Sequence, residues 1–465
     1  MTKEDDVKSR WMETYQELYN TENPCSIDML KTIPKCTNSE EEPPILREEV
    51  AKAIKHFKDG KAPGYDSITA EELKTAGDPG IDALYHLCVK IWDTETIPAD
   101  WGKAVITPIY KKDKLDCNNY RGTSLLSHPG KILTHIIQQR IRNKTESVLS
   151  EAQAGFRPGR GTADQLFVLR QIIESYIENG KELYVCYIDF EKAFDRVWQT
   201  GLWHCMAFFG FPDKYIRLLQ ALYNISQSAV RVNGSLTDWF TTRVGVRQGC
   251  IISPQLFNIL LEVAMLYALH DLDIGACMNG TIINNLRFAD DIAILAESEE
   301  DLQTLVSEVF KSSSQLGLKI SLAKTQVQVI GRASLNINIQ LADHTLEQVN
   351  LGDQIDEDGS CQSNVKRRIG LALGAMHALH PIWRAKDISN YTKIALYRSL
   401  VLSIVLYAAE TRTLRKRDQN RLLSFEMSCL RRILGISRRD RIRNDNICQI
   451  LDLQTPYWTE YTTED

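Results

Sequence analysis

Residues 285–298 read NLRFADDIAILAES, two short apolar runs on either side of an aspartate pair. Segments 286–288 and 292–295 have the length and composition of β-strands, and the turn between them predicts a hairpin with Asp290 and Asp291 at its tip. Adjacent carboxylates repel, so a fold that holds two of them between buried strands needs a cation there. Taken alone, the pair reads as a solvated turn. What changes the reading is YVCYIDF at 184–190, a buried-strand run that reaches Asp189 as the apolar residues give out. Neighbouring strands lie about 4.8 Å apart, so the two sites can meet on one sheet edge. Three carboxylates there predict a site for divalent metal ions and in-line phosphoryl transfer.

Outward from the hairpin the pattern is mixed. Leu302, Leu305, Val306, Val309 and Phe310 share a helix face, as do Leu166, Leu169, Ile173 and Ile177. WGKAVITPIY (101–110), the polar stretch after it and the run near 120 predict a second hairpin. QGCIISPQLFNILLEVAMLYAL (248–269) is a loop feeding a long apolar helix. Strand, helix, two strands, helix predicts an α+β fold with helices backing a mainly antiparallel sheet.

At 465 residues the chain should divide into two or three units, and 43% apolar with 25% charged residues excludes a disordered chain. Net charge is −5, but it is unevenly spread: residues 1–50 carry 6 basic and 12 acidic side chains, and residues 366–443 carry 18 and 5. The acidic start, ending in EEPP (41–44), reads as a tail and linker over 1–45. The basic block, helical from about 360, suits either a polyanion or a solvated surface. Eleven cysteines are scattered singly, with no CxxC, which argues for reduced thiols and against zinc. No 18-residue apolar run and no secretory leader are present, so an intracellular protein without a membrane span is expected, with IALYRSLVLSIVLYAA (394–409) a buried helix.

YIDFEKAFDRVW (187–198), VRQGCIISPQLFN (246–258), RFADDIAILAES (287–298) and GLKISLAKT (317–325) follow one another in this order. Upstream stand GKAPGYDSITAEELK (60–74), ITPIYKK (106–112), NNYRGTSLL (118–126) and QAGFRPGRGTADQL (153–166). The set resembles the polymerase motifs of reverse transcriptases from non-LTR (LINE-type) retrotransposons, over roughly residues 46 to 445. The resemblance implies a right-hand polymerase with fingers, a palm built on an antiparallel sheet, a helical thumb and a basic helical C-terminal region. Its boundaries would be an extension of the fingers at 46–102, the reverse transcriptase domain at 103–345, and thumb and basic region at 346–465.

The resemblance further implies RNA-directed DNA polymerisation with two Mg2+ ions, Mn2+ being an alternative. Asp189, Phe190, Asp290 and Asp291 would form the metal site, with Asp291 the least critical. Arg121, Lys111, Phe190, Phe194, Gln248 and Gly249 would bind the nucleotide, Phe194 excluding a ribose 2′-hydroxyl. Lys324 would give a proton to the leaving pyrophosphate, with Lys319 an alternative close by. Leu351 and Gly352 would grip the primer. Partners would be an RNA template, a DNA primer and deoxynucleotides, with a nicking endonuclease separately encoded or missing and a nuclear place of action. The alternative is a decayed remnant that only binds nucleic acid.

Four positions depart from the family pattern. Gly122 and Thr123 replace Pro-Ile, which predicts a looser backbone beside Arg121. Asn350 stands for an aromatic before Leu351, and Arg412 for a tryptophan.

Overall fold

The computed structural model describes residues 4–21, 25–34, 36–39, 41–110, 116–331, 336–349, 362–407, 409, 414–453 and 455–456. Lys111, Leu351, Gly352, Asn350 and Arg412 lie outside them.

The fold is mixed α and β. Its central sheet runs in the order Glu347–Gln348, Gln326–Ile330, Leu183–Ile188, Asp291–Ala296, Asn285–Phe288. All neighbours are antiparallel except the first pair, as the sequence predicts for a mainly antiparallel sheet. Both faces of this sheet are covered. Leu183 and Val185 point into a core with Leu169, Ile172, Ile173 and Tyr176 of the Thr162–Glu178 helix. Tyr184, Cys186 and Ile188 point the other way, into the main core with the Ser253–Leu269 and Glu299–Gln315 helices. Burial on both faces is why LYVCYI is continuously apolar rather than alternating. Ile294 is fully buried in the adjoining strand, and its truncation to alanine would cost about 2–5 kcal/mol.

The Glu299–Gln315 helix starts where it does because the Ser298 hydroxyl accepts the Asp301 N–H at 3.1 Å. Glu299, Glu300 and Asp301 then complement the positive end of the helix.

A second sheet joins Tyr120–Leu126, Lys103–Tyr110, Gln227–Val232 and Ser235–Leu236, with Phe240–Thr241 also on Gln227–Val232. Its first two strands form the expected hairpin, with Arg121 opposite Ile109.

The expectation of a tail over 1–45 is wrong. Residues Glu4–Asn20 form a helix whose Tyr15 and Tyr19 are buried against Ile106, Val230 and Phe240 of the second sheet. Trp11, Tyr15 and Tyr19 stand four residues apart, stacked along one face, and Trp11 meets Tyr120 edge-on at 4.9 Å. The acidic side chains lie on the outer face, so composition hid an amphipathic helix. Gly122 is corrected with it. A Cβ there would lie 2.8 Å from the Tyr15 ring, so glycine makes room for the helix rather than loosening the strand.

The C-terminal helices form their own core, centred on Tyr397, Val401, Leu422, Leu430 and Ile433. The 394–409 segment is Asn390–Tyr397, a π turn at Arg398–Leu402 and Ser403–Leu406. No helix among the described residues is long and apolar enough to cross a membrane. The basic side chains of this region are mostly exposed, including Lys366, Arg367, Arg415, Lys416, Arg417 and Arg439. Lys393 is the opposite case, buried and donating to the Trp383 carbonyl at 3.0 Å.

Candidate active site

Asp189 follows directly on the central strand. Its N–H faces Thr325 Oγ1 at 3.4 Å and its carbonyl accepts the Ser321 N–H at 2.8 Å. In the neighbouring strand Ile292 pairs with Ile188, so one further step of the same register sets Asp291 across from Asp189. The turn before it passes through Ala289 with φ 58°, which re-aims the chain so that Asp290 faces the cavity.

That turn is clamped by a loop 136 residues away in sequence. Gln153, fully buried, accepts N–H bonds from Ala289 and Gly155 at 2.8 Å through one oxygen and donates to the Ala289 carbonyl at 3.3 Å. Gly155 has to be glycine, because a Cβ would sit 2.1 Å from the Ala289 nitrogen. Below them Arg287 is buried and paired with Glu262 at 3.1 Å, and Asn258 donates to the Gly155 carbonyl at 2.8 Å. The aspartate turn therefore rests on a buried, partly hydrogen-bonded polar cluster.

A cavity of about 690 Å³ opens in front of these carboxylates. Of the sequence-predicted residues, Asp189, Asp290, Phe190, Phe194, Arg121, Gln248, Gly249 and Lys324 all line it. Asp291 does not. Its carboxyl is nonetheless pushed above the usual range, first by desolvation and then by the charges of Asp290 and Asp189, with Lys324 opposing. Lys324 Nζ lies 3.1 Å from Asp189 Oδ1, whereas Lys319 pairs with Glu191 at 2.9 Å. Of the two lysines, only Lys324 serves the cavity.

On the opposite wall Phe194 stacks on Phe257 with centroids 4.8 Å apart and meets Phe156 edge-on at 6.2 Å. Gly249 adopts φ 107° and passes so close to the second sheet that a Cβ would lie 2.6 Å from the Ser124 carbonyl oxygen. The Ser124 N–H is bonded to the Gln248 carbonyl at 3.0 Å, which fixes this loop to the strand carrying Arg121. Arg121 Nε reaches toward Gln248 Oε1 at 3.5 Å.

Several residues of the site carry no sequence expectation. Gln153, Asn258 and Asp195 lie inside the quoted motifs, and their signal is a polar residue embedded among apolar ones. Asp195 is buried, and accepts from Tyr19 Oη at 2.9 Å and Gln248 Nε2 at 2.8 Å. Desolvation lifts its pKa to about 6 against these two hydrogen bonds and the charges of Lys192 and Arg121.

Among the described residues no three carboxylate, imidazole or thiolate groups are gathered tightly enough to hold a metal ion by themselves. The donors at the cavity are hard carboxylate oxygens, and Asp291, pushed up first by burial, is pushed further by the charges of Asp290 and Asp189. Both fit a divalent cation whose shell is completed by further oxygen ligands.

A family model described as reverse transcriptase (RNA-dependent DNA polymerase) matches residues 109–366. The chain belongs to the reverse transcriptase family.

This reverse transcriptase is 25% identical over 410 residues to the RNA-directed DNA polymerase from mobile element jockey of Drosophila funebris, covering 84% of this chain and 44% of that one. It is 31% identical over 260 residues to the probable RNA-directed DNA polymerase from transposon BS of Drosophila melanogaster, covering 55% and 28%. A 149 kDa protein of transposon TX1 from Xenopus laevis is 27% identical over 320 residues, covering 66% and 24%. All three relatives are proteins of transposons or mobile elements. The chain spans less than half the length of each of them.

Proposed function

We propose that this chain is an RNA-directed DNA polymerase that extends a DNA primer on an RNA template, as part of a non-LTR retrotransposon. One observation carries the reading: Asp189, just past the central strand, and Asp290, in the turn before the strand beside it, line the same cavity as Arg121, Gln248 and Phe194. Carboxylate, guanidinium and aromatic groups around one cavity support its reading as a metal site, a phosphate clamp and a sugar wall for a nucleoside triphosphate.

Asp189 and Asp290, with Phe190 beside them and Asp291 behind, would hold two Mg2+ or Mn2+ ions. When bound, these supply Lewis-acid activation of a primer hydroxyl and charge stabilisation of the leaving pyrophosphate. The protein groups do the rest. Arg121 would offer a planar fork to phosphate oxygens, and Lys111, from the ITPIYKK motif just upstream, would add charge. Phe194 presents its ring to the sugar and is braced by Phe257, so a 2′-hydroxyl meets a rigid wall. Lys324, 3.1 Å from Asp189 Oδ1, would donate a proton to the leaving pyrophosphate.

In this reading the central sheet is the palm, the second sheet with Arg121 belongs to the fingers, and the helices from Gln362 form the thumb and basic region. The reverse transcriptase domain would run over 103–345 and the thumb region over 346–465, with Glu4–Asn20 joined to the fingers. The exposed arginines and lysines of the last region would follow the phosphates of a template–primer duplex without reading its sequence.

Extension of a labelled DNA oligonucleotide annealed to RNA, with deoxynucleotides and Mg2+, tests the proposal. Elongated product is expected. Salt-dependent retention of the duplex without elongation, in either Mg2+ or Mn2+, would reassign the chain to nucleic-acid binding alone.

A further inference from the structure

We propose that Tyr19, delivered by the N-terminal helix, is a positioning residue of the nucleotide site: through Asp195 it fixes the side-chain amide of Gln248. The inference rests on the polymerase reading of the cavity and goes beyond it, because Tyr19 itself does not line the cavity while Asp195 and Gln248 do.

Three stretches of chain meet at Asp195. The Ala193–Arg196 turn carries it, and the strap 243–248 runs alongside, with Gly245 N–H to the Val197 carbonyl at 2.8 Å and Val246 N–H to the Phe194 carbonyl at 2.8 Å. The end of the N-terminal helix closes the group, its Tyr19 carbonyl accepting the Arg243 and Val244 N–H groups at 3.0 and 3.2 Å. A Cβ at Gly245 would lie 2.8 Å from the Asp195 carbonyl oxygen, so strap and turn are as close as backbones allow.

Within this seam the Tyr19 hydroxyl and the Gln248 amide donate to the same oxygen, Asp195 Oδ1. An ionised carboxylate only accepts, so it forces Gln248 to turn its NH2 inward and its carbonyl oxygen outward, toward Arg121. Tyr19 can only be a donor here, since burial and the Asp195 charge hold its phenol protonated. Without the phenol, a buried carboxylate loses one of its two donors and the anchor of Gln248 loosens. Nucleotide affinity then falls, and the chemical step suffers less, because the groups at Asp189 and Asp290 stand apart from the seam.

The test is steady-state primer extension with deoxynucleotide titration by the full chain, its Tyr19→Phe, Asp195→Asn and Gln248→Ala variants, and each of the first two changes in the Gln248→Ala background. Thermal melting sets an assay temperature below every midpoint. Tyr19→Phe should raise the nucleotide KM about 5- to 10-fold and lower kcat by a smaller factor. In the Gln248→Ala background the same change should add nothing, because the effect travels through that amide. If Tyr19→Phe lowers the melting midpoint but leaves KM as in the wild type, Tyr19 only holds the fold and the inference is wrong. Equal KM increases with and without Gln248 also overturn it. Should the Tyr19 variant fail to fold, Asp195→Asn carries the test: its KM increase must likewise vanish in the Gln248→Ala background. No extension by the wild type would remove the polymerase reading, and this inference with it.

Discussion

The Lys324 ammonium lies 3.1 Å from Asp189 Oδ1, at the mouth of the cavity that Asp290 also lines. Both partners are solvent-exposed, so the pair adds less than about 1 kcal/mol to stability. Its importance is electrostatic: the ammonium holds the place of a cation. Lys324→Ala should therefore lower the Mg2+ concentration needed for half-maximal extension while reducing kcat by about 100-fold through loss of the proton donor. A Mg2+ titration of variant and wild type checks both, and unchanged values for the two would remove Lys324 from the site.

Phe194 is held by Phe257 behind it. Phe194→Val should relax sugar selection, raising ribonucleotide over deoxynucleotide efficiency by about 10- to 100-fold. Competing single-nucleotide incorporations measure the ratio; an unchanged ratio would leave Phe194 as a core residue only.

Gln153 satisfies the N–H groups of both Ala289 and Gly155. Gln153→Ala leaves them buried without an acceptor, and should cost about 3 kcal/mol in urea unfolding. The variant should also lose extension activity below its melting range, since the turn bearing Asp290 is no longer held.

Gly122 and Tyr15 share one space. Gly122→Ala should destabilise the protein by about 1–3 kcal/mol, and by distinctly less in a Tyr15→Ala background. Additive effects in that double-mutant cycle would mean that the Glu4–Asn20 helix does not dock on this strand.

Asp195 gives a pH signature. Its pKa of about 6 lies above the ordinary carboxylate value, so the folded state binds more protons than the unfolded one between about pH 4 and pH 6. The stability that Asp195 contributes therefore falls as pH rises through that window. The groups facing it are Tyr19, Tyr15, Lys192, Arg121 and Gln248, and both tyrosines, raised by burial and the Asp195 charge, stay neutral throughout the window. Asp195→Asn lacks the titration, so its stability relative to wild type should increase from pH 4 to pH 6 and then level off. A constant difference across the range would contradict the buried charge.

Much of this was legible from local pattern. The 286–295 hairpin and the strand reaching Asp189 are short-range features in which apolar runs stop at a carboxylate, and the resemblance supplied Arg121, Phe194 and Gln248. The unseen parts depend on long-range packing. Tyr19 and Asp195 are 176 residues apart, and nothing in the spacing of either announces the other. The aromatic face of Glu4–Asn20 was obscured by its acidic neighbours, because overall charge averages out the face that packs. Gly122 depends on distance in the chain too: its need for a small side chain comes from Tyr15, far upstream.

The central claim is that Asp290 holds the metal-dependent chemistry on this hairpin. Primer extension on RNA by wild type and by Asp290→Asn, matched for folding by circular dichroism and for duplex binding, tests it most directly. The account predicts elongation by the wild type and a loss of at least about 1,000-fold in the variant with binding retained. Equal elongation by the two would contradict it.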